Sequence, residues 1–217
     1  MPMFPITSKI SSRLTQILLK MPITPNQITS LALLFGLLSC GFFYSQDHIL
    51  NILGAILFLV YYILDNCDGE IARYRDLCSN FGKNFDTFVD WIVHSLFFLA
   101  LGLQSLSNTN QELWLWLGLV CSIGCTINYF CTSFYPTKLN KLSAPFENAP
   151  DNQPKQIYDI PSNRVQRLIF IFRQLFRADF CIIVLVLSLI DFEWLLLPVA
   201  AIGTQVYWIL FFFEDSN

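Results

Sequence analysis

Residues 65–90 read DNCDGEIARYRDLCSNFGKNFDTFVD, set between ILFLVYYIL at 56–64 and WIVHSLFFLALGL at 91–103. Both flanks are apolar enough to sit in lipid. The stretch between them nevertheless holds Asp65, Asp68, Glu70, Asp76, Asp86 and Asp90 beside Arg73, Arg75 and Lys83. Elsewhere the chain avoids charge. Of its 217 residues 54% are hydrophobic and 13% charged, with 21 Phe, and the mean hydropathy is +0.52. A soluble domain carries about 25% charged residues, so the main solvent here is lipid. The net charge of −3 gives no basic character of the kind nucleic acid requires.

A membrane helix needs about 20 apolar residues. Stretches of that kind run roughly over 28–44, 49–72, 82–103, 113–135, 168–190 and 194–213, which predicts an all-α integral membrane fold with six spans in one domain over 1–217. The connectors at 45–48, 104–112 and 191–193 carry no Lys or Arg. All 13 basic residues fall in the N-terminal segment, in 73–83, or in 136–167 with the start of span five. The positive-inside rule then puts both termini and the 65–90 stretch on the cytoplasmic side.

Residues 7–20, TSKISSRLTQILLK, place Ile10, Leu14, Ile17 and Leu18 on one stripe, with Lys9, Arg13, Gln16 and Lys20 largely elsewhere. This predicts an amphipathic helix lying in the interface. In TPNQIT, at 24–29, Thr24 fits a helix cap and Pro25 a first-turn position. Five prolines in 136–163 predict a cytoplasmic loop; a lid over the site and a plain connector both remain open. The N-terminal 20 residues lack the long apolar core of a cleaved signal peptide. The seven cysteines, an odd number lying mostly in apolar runs, read as structural rather than as disulfides or zinc ligands.

On a helix ending near 73, Asp65, Asp68, Gly69 and Ala72 stand at i, i+3, i+4 and i+7, a single face. On a helix starting near 79, Ser79, Gly82, Asp86 and Asp90 form a matching face. Two carboxylates on each face, beside residues with almost no side chain, leave room for a ligand to approach. Four carboxylates near lipid repel one another unless cations neutralise them. Oxygen-only ligands suit a hard divalent ion such as Mg²⁺, with Mn²⁺ or Ca²⁺ as close relatives. Arg73 stands where it can meet a phosphate. These parts suit phosphoryl transfer: metals hold a diphosphate and one carboxylate takes a proton from the attacking hydroxyl.

The pattern Asp65-x2-Asp68-Gly69-x2-Ala72-Arg73-x8-Gly82-x3-Asp86-x3-Asp90 resembles, without a departure at its eight fixed positions, the motif of the CDP-alcohol phosphotransferases, also called CDP-alcohol phosphatidyltransferases. The six-span layout and TPNQIT are similar to that family as well. The resemblance implies a homodimeric membrane enzyme of phospholipid biosynthesis. It would move a substituted phosphate from a CDP-linked donor to an acceptor alcohol and release CMP. It further implies that Asp65, Asp68 and Asp86 bind metal, two ions of Mg²⁺ or Mn²⁺, and that Asp90 is the general base and a further ligand. Gly69, Arg73 and Ser79 would contact the CDP group, with Ala72 and Gly82 giving it room; Asn26 and Thr29 would touch the nucleotide or serve capping and packing. The expected donor is CDP-diacylglycerol, the alternative a CDP-activated head group such as CDP-choline or CDP-inositol with a lipid or polyol acceptor.

Arg173 and Arg177 share a face of span five, set into its apolar run. They read either as a site for an acceptor or donor phosphate or as side chains snorkelling to the interface. His94, one turn beyond Asp90, would orient it or simply pack. A cation-binding transporter and a catalytically silent scaffold are the readings of other classes. The intact motif disfavours the scaffold, and the position of the acidic cluster at one face disfavours the transporter.

Overall fold

Thr24 opens the first long helix with reciprocal bonds: its hydroxyl accepts from the Gln27 backbone N–H at 3.4 Å, and the Gln27 side chain accepts from the Thr24 N–H at 2.9 Å. Pro25 fills the first helical position, where a missing N–H costs nothing. The computed structural model describes residues 6–45, 47–134 and 180–213, and every regular element among them is helical. In order these are α1 (Ile6–Leu18), α2 (Pro25–Tyr44), α3 (His48–Tyr74), α4 (Asn80–Thr109), α5 (Glu112–Phe134), α6 (Phe180–Leu189), a 3-10 turn (Glu193–Leu195) and α7 (Leu196–Phe213).

Among the described residues, α2, α3, α4 and α5 are long and apolar enough to cross a membrane. The first part of the expected fifth span, the proline-rich 136–163 segment, Arg173 and Arg177 lie outside the described residues. The expected connector at 104–112 is corrected: α4 continues through Gln104 to Thr109, and only Asn110, with φ 54°, turns the chain. Polar residues there do not break the helix because Gln104 and Ser105 are buried against other elements.

Helix α2 packs along both α3 and α4, so it forms the spine on which the two motif helices sit. At the α3 end, Asp76 takes the left-handed conformation (φ 54°) and the Leu77 N–H bonds back to the Ala72 carbonyl at 2.9 Å, the geometry that stops a helix and redirects the chain. Helices α3 and α4 then meet mainly through long side chains: Phe58 of α3 stacks on Phe97 of α4 at 4.6 Å, and Phe180 of α6 closes edge-on against both at 6.0 Å. Helices α4 and α5 cross much closer. A Cβ on Gly118 would stand 2.8 Å from the Phe98 carbonyl oxygen, and one on Gly102 would stand 2.9 Å from that of Trp114. Only glycine permits that approach.

Helix α1 docks on α3 with Thr7, Ser11 and Thr15 buried at spacing i, i+4, i+8. Ile10 and Ile17 stay exposed while Leu14 and Leu18 reach the core, so the apolar stripe is divided between protein and surroundings.

Candidate active site

Asp65, Asp68 and Asp86 each offer a carboxylate oxygen, and the three oxygens lie within 4.8 Å of one another. The first two come from successive turns of α3, the third from the second turn of α4. Ligand oxygens around one Mg²⁺ or Ca²⁺, at ~2.1–2.5 Å from it, are separated by at most ~4–5 Å, so the set fits a single divalent cation. The hydrogen bonding agrees. Asp65 Oδ1 and Asp86 Oδ1 are buried without a hydrogen-bond partner, which a protein tolerates where a cation completes the site.

The fourth aspartate stands apart from this trio. Asp90, one turn further along α4, has its Oδ1 held by the Tyr61 hydroxyl, which donates to it from α3. Tyr61 is 1% exposed and packed in the aromatic layer with Phe58 and Tyr62, so the carboxylate it grips has one orientation. Asp90 also lines a cleft of about 190 Å³ between α4 and α5, together with Thr87, Trp91, His94, Asn128, Tyr129 and Thr132. His94 does not touch the Asp90 carboxylate. Its Nδ1 meets the Asp90 backbone oxygen at 2.7 Å, and a carbonyl only accepts, so Nδ1 carries the proton and Nε2 is left for the Tyr62 hydroxyl at 2.8 Å. Of the two readings of His94, packing is the one that this geometry matches.

Thr29 donates its hydroxyl to Asp68 Oδ2, and both residues are buried. That bond fixes Asp68 from α2 and leaves its other oxygen for a ligand, in the manner of partners behind a metal site. Ser79 is the N-cap of α4, its hydroxyl accepting from the Gly82 N–H at 3.0 Å. A Cβ on Gly82 would stand 3.1 Å from that hydroxyl and 3.3 Å from Asn26 Oδ1, so Asn26, Ser79 and Gly82 converge. On α3 the Arg73 guanidinium lies over Gly69, 3.4 Å from where a Cβ would be. Arg73 and Ser79 are exposed, and Gly69, Ala72, Gly82 and Asn26 are half-buried, which leaves this side of the trio open to a ligand.

Two further charges of the 65–90 stretch, Arg75 and Glu70, have structural work. Arg75 donates to the carbonyls of Leu19 at 3.0 Å, Met21 at 2.7 Å and Ile23, clamping the bend between α1 and α2. Glu70 accepts from Ser11 of α1 at 2.8 Å. Together they set the start of α2, and with it Asn26 and Thr29, beside the aspartates. Sequence reasoning missed Tyr61 and Arg75. Tyr61 was open to discovery, since it stands four residues before Asp65 on the same helical face. Arg75 gave no local signal because its partners lie 52 to 56 positions away.

The family model described as CDP-alcohol phosphatidyltransferase matches residues 22–151, which contain every residue of this site. The chain belongs to that family. It is also similar to the bifunctional IPC transferase and DIPP synthase of Thermococcus kodakarensis, 28% identical over 128 residues, 58% of this chain and 28% of the relative. The protein of the same name from Aquifex aeolicus is 30% identical over 118 residues, 54% of this chain and 26% of the relative. The archaetidylinositol phosphate synthase of Pyrococcus horikoshii is 37% identical over 92 residues, 42% of this chain and 47% of the relative. The matched part is therefore under half the length of each of these relatives. Family and apolar helices together make this an integral membrane protein.

Proposed function

We propose that the chain transfers a substituted phosphate from a CDP-linked donor to the hydroxyl of an acceptor alcohol and releases CMP. The observation that carries this reading is the meeting of Asp65, Asp68 and Asp86 oxygens within 4.8 Å, with a tethered Asp90 one turn away. Asp65, Asp68 and Asp86, with Asp90 as a further ligand, would hold Mg²⁺ or Mn²⁺, two ions in all. A metal held by these carboxylates would supply the positive charge that neutralises the diphosphate and eases departure of CMP. Arg73 adds positive charge from the side of Gly69, while Ala72, Gly82, Ser79, Asn26 and Thr29 bound the nucleotide.

Asp90 then acts on the acceptor. Its free oxygen takes the proton of the hydroxyl; the alcohol oxygen forms a bond to the β-phosphorus, and the bond from that phosphorus to the oxygen bridging to CMP breaks. The cleft lined by Thr87, Asn128 and Thr132 opens onto Asp90 and would receive the alcohol. Archaetidylinositol phosphate synthase names an inositol phosphate product for one relative, which supports a CDP-diacylglycerol type of lipid donor and a phosphorylated polyol as acceptor. Arg173 and Arg177 are the proposed contacts for that acceptor's phosphate.

The reading includes one membrane domain over 1–217, six spans made of α2 to α5 with 168–190 and 194–213, α1 in the interface with Ile10 and Ile17 toward lipid, and a homodimer. The site and both termini face the cytoplasm. This is supported by Lys9, Arg13, Lys20, Arg73, Arg75 and Lys83, which cluster at the end of the bundle that holds the aspartates. The test is metal-dependent release of CMP by purified protein supplied with CDP-diacylglycerol or CDP-activated head groups and a panel of alcohols, with the product weighed by mass spectrometry. CMP release that persists under complete chelation, or no release from any pair, would sink the reading.

A further inference from the structure

At the opposite end of the bundle a second polar group is buried. Glu193, in the 3-10 turn before α7, is 3% exposed; its Oε1 accepts from Asn51 Nδ2 of α3 at 2.9 Å and from Gln104 Nε2 of α4 at 3.0 Å. Asn51 is 2% exposed and Gln104 3%. An ionised carboxylate only accepts, so both amides must turn their N–H groups to it. Each then keeps its carbonyl oxygen, and Asn51 Oδ1, Gln104 Oε1 and Glu193 Oε2 are all buried with no hydrogen-bond partner. An amide oxygen lies ~2.3 Å from its own nitrogen, so both amide oxygens fall within ~5 Å of the carboxylate.

Among the described residues, Glu193 has no Lys or Arg side chain as an ion-pair partner. No Lys or Arg occurs among the described residues of 21–72, 84–134 or 180–213, the segments that supply α2, most of α3 and α4, α5, α6 and α7. His48 and Asp191, in contact at 3.3 Å, are both exposed and are partners of each other. A buried carboxylate without a cation is strongly disfavoured in protein and more so in a membrane. Three orphaned oxygens within that reach, one of them on a carboxylate, are the donor type a hard cation takes, and a single negative charge is balanced by a monovalent one.

We infer that Glu193, Asn51 and Gln104 bind a monovalent cation of the Na⁺ type, which ties α3, α4 and the start of α7 together at the end remote from the aspartates. The site does not rest on the phosphotransfer reading and takes no part in the reaction. Along α3, Asn51 and Asp65 are 14 residues apart, or ~21 Å.

The test is thermal unfolding of the purified full chain in detergent, with Mg²⁺ held saturating and choline chloride replaced stepwise by NaCl at constant ionic strength. The expected result is a saturable rise in the midpoint of ~2–5 °C, which Glu193→Gln abolishes. Asn51→Ala and Gln104→Leu, which remove one oxygen each, raise the half-saturating Na⁺ concentration ~10-fold. Should Glu193→Gln not fold, those two variants decide the matter. Equal midpoints in the two salts, as for a protonated glutamic acid or a trapped water, overturn the inference. So does a wild-type response to Na⁺ in Glu193→Gln, or half-saturation unchanged in both amide variants.

Discussion

Helices α3 and α4 are bridged twice, and the two bridges use opposite ratios of charge to donor. At the aspartate end, three carboxylates come within 4.8 Å, and the nearby hydroxyls of Thr29 and Tyr61 hold Asp68 and Asp90. At the far end a single carboxylate is gripped by two amides. An excess of negative charge facing an open side calls for multivalent cations and a substrate that brings more anionic oxygens. One enclosed negative charge calls for a monovalent ion. Between the two ends, Phe58, Tyr61, Tyr62, His94, Phe97 and Phe180 form a continuous aromatic layer that holds both in register.

The largest expected effect is at Asp90. Asp90→Asn lowers turnover by ~10²–10⁴-fold while CDP-donor binding, read by calorimetry, largely survives. Retained turnover in the purified variant would remove Asp90 from proton transfer. Asp65→Asn or Asp86→Asn should weaken Mg²⁺ affinity by ~100-fold or more, since each would take away a proposed ligand, a larger loss than that of a supporting partner. Thr29→Val, which frees Asp68 to rotate, should cost ~10–100-fold. If titration finds metal affinity unchanged in both aspartate variants, the cation is held elsewhere.

Tyr61→Phe keeps the ring in its layer and deletes only the hydroxyl that orients Asp90. One hydrogen bond to a charged group is worth ~1.5–3 kcal/mol, so kcat should fall by ~10-fold or more with KM little moved. A rise in KM at constant kcat would assign Tyr61 to substrate binding instead. Gly118→Leu should destabilise the chain by ~1–3 kcal/mol through overpacking at the α4–α5 crossing, measured by denaturant unfolding. The smallest effect on catalysis belongs to the far end: Glu193→Gln should leave turnover within ~2-fold below its unfolding temperature. A large loss there would mean that the two bridges are coupled and the contrast between them is false.

How much of this was legible beforehand differs between the bridges. The Asp trio and Asp90 lie within 26 consecutive residues on two helices joined by a short turn, so helical periodicity alone assigned their faces. Thr24 as cap and Pro25 at the first turn were readable for the same local reason. The extension of α4 to Thr109 was not, because burial of Gln104 and Ser105 offsets the polar character of that segment. Nor was the division of the α1 surface, where small polar residues face α3 and Ile10 and Ile17 do not.

The sequence by itself determined the solvent, the helical class and the identity of the four aspartates, since hydropathy and the 3.6-residue period are properties of neighbouring residues. Tertiary structure alone decided that Tyr61 holds Asp90, that Arg75 clamps the α1–α2 bend, and that Glu193 joins Asn51 across 142 positions. Those contacts depend on how the helices are placed on α2. That placement comes from close packing between distant segments, which no local pattern encodes.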